Sequence, residues 1–348
     1  MIELEIKQND KDQRLDRFLK KYFDKAPLSM IYKMIRKDVK INGKRGKEAT
    51  LLAEGDVLQI YITEEQAHQF HSEKKQINAA RQFTVAYEDE DMLIVSKPFG
   101  LLTHGDRREK KNTLANQVAG YLQGKGEYDP AKEQTFRPSP VNRLDRNTTG
   151  LVIFGKNADS LRQLSEEIKT REGIAKYYLT IVKGRLEEEM VIEESLAKDK
   201  SSNTVRIVTE DEHAANQDSQ DHQPGKKSIT IVRPIAWSDQ RFRLDQRFRP
   251  DQGFRSDQGF TLVEAELVTG RTHQIRAHLA GTGHPIIGDS KYGDPATNRR
   301  MKEKNGLSTQ LLHAARLEFT AKGDIMKVTA PLPETFKRIK KDLFGDVR

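Results

Sequence analysis

The sequence predicts an α+β protein, with a small, partly helical module at the N-terminus and a larger body rich in strands. Two patterns carry this. Between residues 13 and 37 the apolar side chains recur at helical spacing, and beyond residue 83 short runs alternate apolar with polar residues. A third observation marks the centre of the larger body. The apolar run Leu151 to Phe154 is short and bounded by Gly150 and Gly155, which favours a buried strand over a helix.

In the first module, Leu15, Phe18, Leu19 and Tyr22 form one face of a helix over Gln13 to Asp24, which Pro27 ends. Ser29 is placed to cap a second helix over Ser29 to Lys37, with Ile31, Met34 and Ile35 inward. Val39 and Ile41 lead to an Asn42-Gly43 turn, a strong hairpin signal. A last strand runs from Asp56 to Ile62. Residues 31 to 47 hold seven Lys or Arg against one acid, so +6 of the chain's +8 lies here. Lys33, Arg36, Lys37 and Lys40 follow helical phasing, and Lys44 and Arg45 sit at the adjoining turn. A one-sided basic surface of this kind suits a polyanion such as RNA. Residues 65 to 80 are polar and read as a linker, giving a module over 1–64 and a second domain over 81–348. His68 and His71 have no third ligand nearby, so no metal is expected.

In the larger domain, Phe83, Val85 and Tyr87 alternate, acids turn the chain, and Met92 to Ser96 returns as a strand ending at Lys97-Pro98. Leu114, Val118, Tyr121 and Leu122 mark a helix. Asp145 lies in the polar loop before the Leu151 strand, where Arg143 or Arg146 would favour its ionised form if either came near. Thr148 and Thr149 offer hydroxyls for backbone or carboxylate. Ala158 to Ile168 reads as a helix, and Lys176 to Gly184 as a strand with residues 178, 180 and 182 on one face. Residues 209–227 read as an acidic, amide-rich loop. Four hexads then run from Asp239 to Leu262, with phenylalanines at 242, 248, 254 and 260. Pro250, Gly253 and Gly259 argue against a regular central strand. The insertion is therefore placed at about 239–256, with the last hexad opening a strand over Phe260 to Val268; an Arg/Phe surface for unpaired bases is the functional alternative. Thr272 is placed to cap a helix carrying His273 and Arg276 at i, i+3.

Several function classes drop out. The chain has no cysteine, hence no disulfide framework, thiol nucleophile or thiolate metal site. It shows no phosphate-cradling glycine loop, and no second acid accompanies Asp145 as glycosidases require. The N-terminus is unlike a signal peptide, and no apolar run approaches the roughly 20 residues that span a bilayer. A soluble cytoplasmic monomer, without membrane contact, is the expectation.

Arg-Leu-Asp also occurs at Arg14 and at Arg243, so the tripeptide alone carries little. The full string does: Asn142-Arg-Leu-Asp145, two residues, Thr148-Thr-Gly150, then an apolar strand. It resembles the signature of the RluA-type pseudouridine synthases, with Asn142 where that family usually has His and Thr149 where it usually has Ser. The strings Lys97-Pro98 with Gly100-Leu-Leu-Thr-His104, Thr269-Gly-Arg-Thr-His-Gln-Ile-Arg-Ala-His278, and His284-Pro-Ile-Ile-Gly-Asp-Ser-Lys-Tyr-Gly293 extend the resemblance over about 83–335. It implies a mixed, mainly antiparallel sheet with flanking helices. It also implies that uridines in RNA are isomerised to pseudouridine without cofactor or metal. Asp145 would be the catalytic carboxylate, as nucleophile or general base, with Tyr178 against the uracil and Arg276 paired to Asp145. Arg143, Arg271 and His273 would contact RNA. Residues 12 to 62 similarly resemble the alpha-L RNA-binding module of a small-subunit ribosomal protein, which suggests structured RNA, ribosomal RNA above all. A non-catalytic RNA-binding or ribosome-assembly protein on the same scaffold is the alternative.

Overall fold

The computed structural model describes residues 1–72, 79–171, 173–199, 204–208, 225–238, 259–321 and 323–346. Most of the hexad array and of the acidic loop lies outside them.

The N-terminal module contains β1 (Ile2–Glu5), α1 (Leu15–Tyr22), α2 (Leu28–Lys37), β2 (Val39–Ile41), β3 (Lys44–Arg45), β4 (Val57–Ile60) and α3 (Glu64–Phe70). Its strands form a four-stranded antiparallel sheet in the order β1-β4-β2-β3. The apolar stripes of both helices close on it: Leu15, Phe18, Leu19, Ile31, Met34 and Ile35 are buried with Leu58 and Ile60. Asn42 (φ 50°) and Gly43 (φ 79°) take the two left-handed positions of the tight β2–β3 turn. Two details differ from the expectation. Pro27, not Ser29, stands at the N-cap position of α2, its ring already fixing φ at −60°. The stretch that reads as linker begins with a helix, α3, closed by a Thr63–Gln66 capping box. Phe70 meets Phe23 edge-on at 6.4 Å, so this helix completes the module's core.

The larger sheet is built from β5 (Thr84–Glu88), β6 (Met92–Lys97), β7 (Ser139–Pro140), β8 (Thr149–Gly155), β9 (Ile174–Lys183), β10 (Met190–Asp199), β11 (Thr204–Val208), β12 (Lys226–Trp237), β13 (Phe260–Leu267), β14 (Leu312–Ala321) and β15 (Asp324–Thr329). The main path runs β11-β10-β12-β13-β9-β14-β8-β6-β5, with β15 on β14 and β7 on β8. Every pairing is antiparallel except β14 with β8, so the sheet is mixed and mainly antiparallel. The flanking helices are α4 (Leu114–Gly124), α5 (Ala158–Thr170), α6 (Gln274–Gly281), α7 (Pro295–Asn305) and α8 (Glu334–Phe344). β8 is buried along its whole length. Val152 and Phe154 pack toward Val118 of α4 and Leu279 of α6, whereas Leu151 and Ile153 pack toward Leu164 of α5. This is the period-two alternation of a strand covered on both faces.

Strands β10 and β11 are not evident from sequence. The buried residues of β10, Ile192 and Leu196, stand four apart, a helical spacing. Lys226 and Lys227, which read as part of the acidic loop, belong to β12 and pair with Leu196 and Ser195. Phe260 opens β13, as the last hexad suggests. The N-terminal module meets the larger domain through polar contacts: Thr135 Oγ1 donates to Asp10 (2.6 Å) and the Ala158 amide to Asn9 Oδ1 (3.0 Å). Among the described residues no helix is long and apolar enough to cross a membrane.

Candidate active site

Asp145 stands on the loop between β7 and β8, and its neighbours are tied down one by one. Thr103 Oγ1 donates to the Leu144 carbonyl (2.9 Å) and accepts from the Leu144 amide (3.2 Å). Asn142 Oδ1 accepts the Ile153 amide at 2.8 Å, pinning the loop to β8. The Lys97 ammonium, buried at the end of β6, donates to the carbonyls of Pro98, Leu101 and Arg146 (3.1, 2.8 and 2.9 Å). Burial draws that ammonium down to about 7, against the opposing charge of Asp145. Gly150 (φ 107°) lies so near β14 that a Cβ would stand 2.1 Å from the Ala314 carbonyl oxygen. The glycine of the Thr-Thr-Gly string is thus a packing requirement of the parallel β8–β14 pairing. Thr149 Oγ1 meets His313 Nδ1 at 2.7 Å, so it serves the same junction.

The guanidinium that reaches Asp145 comes from α6. Arg276 Nη1 donates to Asp145 Oδ2 at 2.9 Å. Its Nε and Nη2 donate to both oxygens of Asp289, at 2.7 and 2.8 Å. Asp289 is fully buried and also accepts the amides of Lys291 and Tyr292 (2.9 and 3.1 Å). Burial alone would push its carboxyl up; Arg276 and the two amides more than offset this and hold it below the ordinary range. The Tyr292 ring lies 5.2 Å from the Arg276 guanidinium, and its hydroxyl meets His273 Nδ1 at 3.0 Å. His273 Nε2 is 3.8 Å from Asp145 Oδ2. Burial lowers the His273 imidazole's basicity, with Asp145 opposing.

Arg143 and Arg146, adjacent in sequence, do not hold Asp145. Arg143 is exposed and Arg146 pairs with Asp106 at 3.2 Å. The loop aims residues 143 and 146 outward while 144 points into the core. Thr272 does not cap α6 either. His273 occupies the N-cap position at φ 52°, and the Gln274 side chain accepts the Arg271 amide at 3.0 Å. That left-handed turn directs the ring of His273 toward Asp145.

Tyr178 is buried on β9 in the cluster that contains Leu144 of the Asp145 loop and Ile275 of α6. Burial raises its phenol's pKa, and the charge of Asp145 adds to this. Tyr177 turns away, its ring 3.7 Å from the Arg316 guanidinium. The Asp145 side chain is 30% exposed, and its Oδ1 has no hydrogen-bond partner among the described residues. One oxygen is fixed and the other is open, on a loop whose Leu144 packs in the cluster that holds Tyr178. That arrangement suits a carboxylate acting as nucleophile or base.

Arg271 is exposed on the loop entering α6, near the site, whereas Lys33, Arg36, Lys37, Lys44 and Arg45 are exposed on the N-terminal module. Lys40 is half-buried over the Tyr61 ring, at 5.3 Å. Among the described residues none of these six module cations has an ion pair with a carboxylate. Sequence reasoning assigns no role to Asp289, Tyr292, Lys97 or Thr103. Each lies within a string that carries the family resemblance, Asp289 as the single acid of the His284 to Gly293 string. Among the described residues no group of three His, Cys, Asp or Glu could hold a metal ion.

Residues 91–281 match the family model described as RNA pseudouridylate synthase. The chain is 33% identical over 348 residues to ribosomal large subunit pseudouridine synthase C of Escherichia coli (strain K12), covering 97% of this chain and 95% of that one. To the protein of that name from Vibrio vulnificus (strain CMCP6) it is 30% identical over 352 residues, covering 98% and 96%. Among solved structures, human RNA Pseudouridylate Synthase Domain Containing 4 shares the fold with a TM-score of 0.52 at 19% identity, covering 74% of this chain and 92% of that one.

Proposed function

This chain belongs to the RNA pseudouridylate synthase family, and we propose that it isomerises uridines of large-subunit ribosomal RNA, with Asp145 as the catalytic carboxylate. The reaction detaches uracil from its ribose, turns it and rejoins it through a ring carbon. It is redox-neutral, so the side chains need only hold, orient and move charge. The observation that carries the reading is the Asp145 carboxylate itself, half-tied by Arg276 at 2.9 Å and open on its other oxygen. The ribosomal substrate is supported by the names of the relatives that match this chain nearly end to end.

The target uridine leaves its stack at a cost of a few kcal/mol. Tyr178 offers an apolar ring against the uracil, which offsets part of that cost. Arg276 holds and aims the Asp145 carboxylate, and Asp289 keeps Arg276 in place. Asp145 then either attacks the sugar carbon that bears the base or removes a proton from the sugar. Both routes use the same outward oxygen. Arg143, Arg271 and His273 border the site and meet the strand near the uridine. Lys33, Arg36, Lys37, Lys40, Lys44 and Arg45 hold phosphates farther off, on an N-terminal module of alpha-L type to which α3 also belongs. Counter-ion release at these cations supplies affinity without sequence choice.

Pseudouridine mapping of large-subunit ribosomal RNA, from cells with and without the gene, tests the reading. Loss of one or more sites, restored by the wild-type gene and not by Asp145→Asn, is the expected result. An unaltered map would refute the ribosomal substrate.

A further inference from the structure

Beyond β6 the chain turns through Pro98, Phe99 and Gly100, the last with φ 80°. Lys97 ties this turn to the Asp145 loop through the Leu101 and Arg146 carbonyls. Phe99 is 60% exposed. A scattered exposed phenylalanine needs no explanation. This one borders a cavity of about 250 Å³ whose lining includes Gln82, Leu101, Asn112 and Arg146, the residue next to Asp145.

Glu109 and Asn112, which also line that cavity, belong to a loop over 105–112 with an ordered division of charge. Its two acids are taken up by the loop's own backbone. Asp106 accepts the amides of Arg108 and Glu109 (2.7 and 2.8 Å) and the Arg146 guanidinium (3.2 Å). Glu109 accepts the amides of Lys111 and Asn112 (2.7 and 2.9 Å). The amides hold both carboxyls below their ordinary range. Asn116 fastens the loop's end through the Lys110 and Lys111 carbonyls (2.9 and 2.7 Å). The four cations, Arg107, Arg108, Lys110 and Lys111, are exposed, and among the described residues none has an ion pair. A fixed backbone with outward cations, beside an exposed aromatic and a cavity, is what an unpaired nucleic-acid strand requires: phosphates on the cations, a base on the ring.

We propose that Phe99 stacks on an unpaired base flanking the target uridine, at the cavity it shares with Arg146, while Arg107, Arg108, Lys110 and Lys111 hold that strand's phosphates. The proposal rests on the reading of Asp145 as the centre of uridine isomerisation. It adds a selection: a uridine whose neighbour is paired in a helix is a poor substrate, because its base cannot reach Phe99.

The test is steady-state pseudouridine formation in large-subunit ribosomal RNA transcribed without modifications, with kcat and KM separated. Phe99→Leu keeps apolar bulk and loses the ring face. It is expected to raise KM by roughly 5- to 150-fold, the worth of one stacked base. Phe99→Trp, with a larger face, is expected to hold KM within about threefold of wild type. Replacing the four cations by Gln is expected to flatten the log-log salt dependence of binding by about 0.7 for each phosphate set free. A Leu variant with wild-type KM, a Trp variant as impaired as the Leu variant, or an unaltered salt slope overturns the proposal alone. A wild-type protein that forms no pseudouridine in that RNA removes the function reading, and this proposal with it.

Discussion

The two modules place their charges in opposite ways. Among the described residues of the N-terminal module the only buried charged side chain is Asp10, and its core is aliphatic and aromatic. Its cations at 33 to 45 lie outside, without ion pairs among the described residues. The larger domain buries Lys97, Lys176, Arg276 and Asp289, and two histidines, His278 and His313. An exposed, unpaired cation keeps its hydration and its mobility; it binds any phosphate and is screened by salt. A buried pair has lost its water, and its partners fix its geometry. The first arrangement suits the binding of phosphates, and the second holds a carboxylate in one orientation. Substitutions that exchange the two behaviours break the comparison; those that separate them sharpen it.

The largest effect is expected at Asp145. Asp145→Asn keeps the shape and removes the charge, so turnover should fall by at least about 10³-fold, whichever of the two routes operates. Arg276 keeps its two bonds to Asp289, so no buried cation is orphaned. The melting temperature should therefore move by less than about 4 °C. RNA binding should persist. The decisive quantity is pseudouridine formed per folded molecule; a rate near wild type would mean that another group does the chemistry.

Asp289→Asn breaks the buried side of the same arrangement. Arg276 is then left with one partly exposed partner, and loss of a buried ion-pair partner costs about 3–5 kcal/mol. Turnover should drop by about 10²-fold through misplacement of Asp145, while salt-dependent RNA binding stays with the exposed cations. Thermal melts and kcat measured on one preparation check both halves. Unaltered stability would show that Asp289 is not the anchor.

Sequence periodicity reveals α1, α2, the β2–β3 hairpin and the central strand, because each is a local pattern with its own apolar face. It hides α3, which offers the core only Ala67 and Phe70 from an otherwise polar run, and β10, whose buried residues have a helix's spacing. The site is less legible. Chain neighbours suggest Arg143 or Arg146 for Asp145, but the bond comes from Arg276, 131 residues away. Only the family resemblance points to Arg276, because the fold, not the spacing, joins the two segments. Asp289 escapes notice because a carboxylate's burial is set by the residues around it, and these come from elsewhere in the chain. Gly150 can be read as a turn residue, yet its need arises from Ala314 on a strand near the chain's other end.

The exposed face can be tested without touching the buried one. Replacing Lys33, Arg36, Lys37 and Lys40 by Gln should weaken RNA binding and lower the log-log salt slope by about 0.7 to 0.9 for each phosphate no longer neutralised. Turnover at saturating RNA should survive, since Asp145 and Arg276 are untouched. Binding titrations across salt concentrations check this. A full wild-type slope would assign these cations to solubility alone.

The smallest effect concerns acid, and it separates the modules by their histidines. His278 is buried on α6 against Ser228 Oγ at 2.9 Å, and His313 on β14 against Thr149 Oγ1 at 2.7 Å. Burial pulls both imidazoles down to about 4, with the Ala330 carbonyl opposing this at His313. In the unfolded chain each titrates near 6.5, so between about 6.5 and 4 the unfolded state binds more protons. Stability from these groups is therefore complete above about 6.5 and is lost as the pH falls toward 4. At pH 5.5 each should cost about 1.4 kcal/mol relative to pH 7.5. The N-terminal module buries no histidine; His68 is exposed and His71 half-buried. The single tryptophan, Trp237 on β12, reports on the larger sheet. Urea unfolding followed by its fluorescence should therefore show stability falling by about 3 kcal/mol between pH 7.5 and 5.5. The His278→Gln, His313→Gln double variant, less stable at neutral pH, should lose about 3 kcal/mol of that change; the slope it keeps belongs to Lys97, His104 and His273, which burial also draws down. A double variant that keeps the full wild-type slope would move the acid sensitivity to those other groups, and a flat wild-type profile would mean that these two histidines take up their protons without unfolding the sheet.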